Sequence, residues 1–185
     1  ENAEAIPGPT TEYFGGLAKQ HAIHIAARGQ RDGERVLGVV GEPEGQAWIV
    51  GVLADQLLAD GRRVSLIAVD DAHFACEDWF GGWVMVKATE NEPEALLAAL
   101  KAGHFYASQG PRIEGILWGE DSVEVHCSPA SSIMVLGRGS SAAQSVAPLQ
   151  SRAVLPLGKL RDGGFARVVV ADAAGKRAWS NPYFF

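Results

Sequence analysis

The sequence predicts an α/β unit over residues 1–109 followed by a small all-β sandwich over residues 110–185. Three observations predict it. A stretch of helical periodicity runs into a continuously apolar segment, Val64 to Val69, which suits a strand buried in a parallel sheet. A second amphipathic stretch, Ala95 to Ala102, supplies another helix to the same half. After Gly110-Pro111 the pattern changes to short alternating segments broken by Gly, Ser, Asp and Pro, the spacing expected of a sandwich.

The elements follow in chain order. Ile6-Pro7-Gly8-Pro9-Thr10-Thr11 reads as a turn and a helix cap, because a Thr hydroxyl can accept from the free amides of a first turn. A helix through Tyr13, Phe14, Leu17 and Ala18 follows. Ile23 to Ala27 reads as a strand, Arg31-Asp32-Gly33-Glu34 as a turn, and Arg35 to Val40 as the partner strand. From Trp48 to Leu58 apolar residues recur at helical spacing, and Ala59-Asp60-Gly61 supplies the stop. Gly81-Gly82-Trp83 leads into a strand, Val84 to Ala88, and Asn91-Glu92-Pro93-Glu94 opens the helix that Gly103 ends. Six short strands are expected beyond Gly110, at 112–118, 121–127, 132–137, 152–157, 164–171 and 177–183. Gly137-Arg138-Gly139-Ser140-Ser141 lacks the Lys and the helix of a phosphate loop, so it reads as a hairpin or loop.

Composition excludes several partners. With 185 residues, 47% of them hydrophobic, the chain can bury a real core. A net charge of −6 without clustered Lys and Arg argues against nucleic acid. No segment approaches the roughly 20 apolar residues that cross a bilayer, and the first residues do not form a signal peptide. Cys76 and Cys127 lie at no metal-ligand spacing, so two free thiols in a reducing cytoplasm are expected.

The chemistry centres on Val69-Asp70-Asp71-Ala72-His73-Phe74, at the carboxyl end of the buried strand, where α/β proteins place ligand and catalytic groups. Asp71 and His73 bring a carboxylate oxygen and an imidazole nitrogen within reach of one zinc or manganese ion, and Asp70 can orient His73. Catalytic zinc generally takes three protein ligands. His21, His24 and His104 are the candidates for the remainder, although His104 also stands where a helix end favours a cation. Lys87 and Trp83 are candidate substrate contacts, as a cation for a phosphate and as an apolar wall, and solvation and core packing are their plainer uses. His126 reads as structural. A homodimer or larger homo-oligomer is expected, because a second copy would join two partial sites and cover open sheet edges and apolar faces.

Several ordered blocks carry a family resemblance. They are Val69-Asp70-Asp71-Ala72-His73-Phe74, Gly81-Gly82-Trp83-Val84-Met85-Val86-Lys87-Ala88, Glu94-Ala95-Leu96-Leu97-Ala98-Ala99-Leu100-Lys101-Ala102-Gly103, Phe105-Tyr106-Ala107-Ser108, Gly110-Pro111 and Trp179-Ser180-Asn181-Pro182. On these, the region from about Leu53 to Phe185 resembles the polymerase-and-histidinol-phosphatase (PHP) family of metallophosphoesterases, in the subgroup with an all-β carboxy-terminal extension. The resemblance implies a partial β/α barrel, a cluster of divalent ions and hydrolysis of phosphate mono-, di- or triesters. It matches Asp71 and His73 to the family's last metal-ligand motif. The family's opening His-x-His motif and its further Glu and His ligands are not present upstream. Residues 1–45, through Ile6-Pro7-Gly8-Pro9-Thr10-Thr11, His21-Ala22-Ile23-His24-Ile25 and Arg31-Asp32-Gly33-Glu34-Arg35-Val36, are similar to an internal piece of nitrilase-like carbon–nitrogen hydrolases, without that family's catalytic residues. A phosphoesterase is therefore expected. The alternative is a catalytically incomplete PHP remnant, from a truncated or fused gene product, acting as a binding or assembly module.

Overall fold

Two strands carry the parallel pairing among the described residues. The structure is a computed structural model and describes residues 35–40, 54–69 and 81–185. The helix expected near 13–18, the strand at 23–27, the turn at 31–34 and the start of the helix at 48–58 lie outside them. Strand β1 (Arg35–Val40) pairs in parallel with β2 (Val64–Val69), Arg35 opposite Val64 and Val40 opposite Val69. Residues 54–59 are helical. Gly61, at φ +79°, ends that helix, with its own N–H donating to the Leu58 carbonyl and the Arg62 N–H to that of Leu57. Along β2 the side chains of Val64, Leu66 and Ala68 are buried together with Ala54 and Leu58 of the helix.

The remaining elements are β3 (Trp83–Val86), α1 (Pro93–Lys101), β4 (Phe105–Ser108), β5 (Ile113–Trp118), β6 (Ser122–Gly137), β7 (Ala142–Pro156), α2 (Gly158–Asp162), β8 (Phe165–Ala171), β9 (Arg177–Ser180) and β10 (Tyr183–Phe184). They build one eight-stranded sheet in the order β3-β4-β9-β8-β6-β5, with β10 on β8 and β7 on β6. Every pairing in it is antiparallel.

This architecture corrects the fold class read from the sequence. The described chain is mostly β, a curled antiparallel half-barrel sheet, and no β/α barrel pattern is present in it. A barrel needs each helix to carry the chain back to the start of the next parallel strand. Here α1 returns the chain to the end of β3 that it left, the Lys87 N–H donates to the His104 carbonyl at 2.8 Å, and β4 runs opposite to β3. The expected sandwich is likewise one continuous sheet curled on itself. Strands on both sides of Gly110 share it, since β4 pairs with β9.

The curl is built by β6. Its first half pairs with β5 and the end of β7, its second half with β8 and the start of β7. Between the halves, residues 127–129 of β6 face residue 151 of β7, and residue 131 then faces residues 147–149. The two opposed irregularities cancel, so Val123, Val125 and Cys127 face the same core as Ile133 and Val135. The Gln150 side chain ties the irregular stretch together, its amide donating to the Ser145 and Ala147 carbonyls while its oxygen accepts from the Ser145 hydroxyl at 2.7 Å.

Strand β8 is buried along six of its seven residues and divides two cores. Ala166, Val168 and Val170 face the concave core with β6 and β7, whereas Phe165 and Val169 face the cluster that holds β2 and the 54–59 helix. Arg167, 4% exposed, donates through Nε and Nη2 to both carboxylate oxygens of Asp55, at 2.7 and 2.8 Å. The geometry is bidentate, and it joins the helix to the centre of the sheet. Asp55→Ala should cost about 3 kcal/mol of unfolding free energy, because it strands a buried guanidinium, and adding Arg167→Met should restore most of that loss. Urea denaturation of the single and double variants measures both.

Candidate functional site

The carboxyl end of β2 is held by backbone contact. Gly82 sits so close that a Cβ on it would meet the Val69 carbonyl oxygen at 3.1 Å and the Ala68 Cβ at 3.2 Å. Glycine is what allows this approach. The next residue, Trp83, begins β3 opposite Ser108 and is half-buried. The end of β2 and the start of β3 are therefore neighbours.

A second contact fixes the middle of β2. The Leu66 N–H donates to Asn181 Oδ1 at 2.9 Å, and Asn181 Nδ2 donates to the Gly103 and Phe105 carbonyls, each at 3.0 Å. All four hydrogen-bonding positions of this one amide bar a single lone pair are thus used. The neighbouring Ser180 hydroxyl accepts from the Val168 N–H and donates to the Asn181 carbonyl. Together these bonds give Ser180 and Asn181 a structural role that the sequence left unassigned.

The expected site residues divide into two groups. Asp70, Asp71, His73, His21 and His24 lie outside the described residues. Trp83, Lys87 and His104 are described, and they do not come together. Lys87 and His104 are exposed and sit beside each other at the far end of the β3–β4 pair, about 13 Å along the strand from Trp83 at 3.3 Å per residue. Among the described residues no group of three or more His, Cys, Asp or Glu stands close enough to hold a metal ion.

One charged cluster escaped sequence reasoning. On the outer face of β6 and β7, Glu124 Oε1 accepts from His126 Nε2 at 2.6 Å and from Arg152 Nε at 2.7 Å. His126 and Arg152 are directly opposite in the ladder, and Glu124 is two residues from His126 on the same face. The hydrogen bond from Arg152, then that from His126, lowers the Glu124 carboxyl to about 2. Cys127, the next residue, points inward as a free and buried thiol, and its burial pushes the thiol up. The cluster lies on an open strand face, between exposed Leu117 and Val154.

Comparison of the chain with family models, with curated proteins and with solved structures returns no match. No helix among the described residues is long and apolar enough to cross a membrane.

The depressed Glu124 carboxyl has a definite pH signature. Its folded value lies below its ordinary 4.5, so what the ionised Glu124 carboxylate contributes is present above that value and is lost as the pH falls toward 2. Arg152→Ala should move the Glu124 titration upward, part of the way to 4.5, and carboxyl-detected NMR titration of the two proteins measures the shift.

Proposed function

We propose that the chain is a metal-dependent phosphoesterase that hydrolyses phosphate mono-, di- or triesters at the carboxyl end of β2. The observation that carries the reading is the close seating of Gly82 on Ala68 and Val69, which fixes the end of a largely buried strand beside Trp83. From Val69 the chain continues directly into Asp70-Asp71-Ala72-His73. The resemblance of residues 53–185 to PHP phosphoesterases supports the same position.

Asp71 and His73 are the proposed ligands of a zinc or manganese ion, a carboxylate and an imidazole suited to either. When bound, such an ion activates water and polarises a phosphoryl oxygen. Asp70 is proposed to orient the His73 ring, and Trp83 to wall the substrate's organic group. Lys87 and His104 are left out of this set, because they stand at the other end of β3 and β4. His21 and His24, or residues of a second copy in a homodimer or larger homo-oligomer, are proposed to complete the coordination. A cytoplasmic setting belongs to the same reading, since Cys127 is a free, buried thiol.

Purified protein should hydrolyse an aryl phosphate with manganese or zinc, lose that turnover in EDTA and regain it when metal is restored. His73→Ala and Asp71→Asn should each reduce the metal-dependent rate to background. A His73→Ala variant with the wild-type rate, or wild-type protein that binds no metal by elemental analysis, sinks the assignment.

A further inference from the structure

Strand β2 meets the large sheet without entering its hydrogen-bonded ladder: β1 is its ladder partner among the described residues, and β3 to β10 make up the other sheet. Apart from the close seating of Gly82 at its carboxyl end, the described contacts that place it against that sheet are made by side chains. Two of them belong to the same short segment, residues 181–184, which follows β9 and includes β10. Asn181 takes the Leu66 N–H and returns two bonds to the Gly103 and Phe105 carbonyls on either side of His104, so one side chain ties β2 to the entry of β4. Three residues later, the Arg63 guanidinium, one residue before β2, lies 4.6 Å from the centre of the Phe184 ring. That is cation–π distance. The segment is itself anchored on the opposite side, where Tyr183 stacks on Trp118 with ring centres 4.7 Å apart and Phe185 packs edge-on against both.

We infer that Asn181 is a positioning residue: through the Leu66 amide it sets where the carboxyl end of β2 delivers the Asp70-Asp71-Ala72-His73 sequence. The inference rests on the phosphoesterase reading for its functional consequence and on the described contacts for its structural one. A primary amide is the group the position requires, because it accepts from an amide N–H and donates twice to carbonyls at once. Aspartate keeps the acceptor and sets a carboxylate against two carbonyl oxygens. Leucine keeps the bulk and loses all three bonds.

Full-length Asn181→Asp and Asn181→Leu, compared with wild type, test this by two measurements. Hydrogen exchange of peptides covering Leu66 should quicken in both variants, while peptides covering Val168 to Val170 keep wild-type protection. The manganese concentration for half-maximal aryl phosphate hydrolysis should rise about tenfold or more, as for residues that hold ligands in place, with a smaller change in the rate at saturating metal. A uniform loss of protection across the sheet would mark a general stability defect and overturn the inference. Unchanged exchange at Leu66 overturns it as well, and so does faster exchange with an unaltered manganese dependence. If wild-type protein has no metal-dependent turnover, the phosphoesterase reading fails and Asn181 loses its functional role, while exchange at Leu66 still decides whether it holds β2.

Discussion

The structure depends on one strand being covered on both faces. β8 carries no polar alternation, and an antiparallel strand of that kind is stable only in the middle of three layers. One layer is the curled half of the sheet, where β6 and β7 close over Ala166, Val168 and Val170. The other is the 54–59 helix with β2, which covers Phe165 and Val169. Arg167 is the exception on that second face, and it is tolerated because Asp55 meets it with both carboxylate oxygens. A charge pair of this kind adds little over well-packed hydrophobic side chains. Its geometry does specify how the helix must sit, since a bidentate pair holds over a narrow range of orientations.

The curl of the sheet is the second constraint, and it follows from the first. A flat sheet would leave the β6 face of the concave core in water. Bending a single strand of 16 residues requires extra residues on one edge, and extra residues reverse the inward and outward alternation. The opposed irregularities in β6 and β7 solve both problems within one hairpin. The cost is visible in Leu149, which adopts a φ of +53°, a left-handed conformation rare outside glycine, and stands 77% exposed. Gln150 offsets part of that cost with its hydrogen bonds to Ser145 and Ala147.

Element positions were legible in the sequence to the extent that a local pattern specified them. Val64–Val69, Pro93–Lys101, Ile113–Trp118 and Phe165–Ala171 lie within a residue or two of the expected spans, because apolar runs, a Pro at a helix start and glycine stops act locally. The expected strands at 121–127 and 132–137 are one strand, since a bend through Pro129 looks like a turn when pairing is unknown. The first ten residues of β7 were missed. As an edge strand with β6 as its partner, that stretch needs no apolar face, and Ala142 to Ser151 shows none. Helix α2 has five residues, too few for a period. Choice of partner was not legible: 164–171 reads as one strand of a sandwich, and nothing local says that β8 lies between β6 and its hairpin neighbour β9.

The site was legible in a similar, partial way. Chemistry announces itself through residue type, so Asp-x-His after an apolar strand draws notice. Support is silent, because Asn181 and Gly82 act through a side-chain amide and a missing Cβ, neither of which differs in sequence from an ordinary turn residue. Yet support is what a strand in β2's position needs most. A ladder strand is located by several backbone bonds on each side, and losing one leaves its register intact. Among the described residues β2 has that security from β1 on one edge, and on the other the Leu66 N–H, which burial would leave without water, donates to Asn181. One side-chain acceptor therefore satisfies a buried donor and, with the Gly82 seating and the Arg63–Phe184 contact, helps to locate the strand. The same economy makes the placement sensitive, since the loss of that acceptor exposes both costs together.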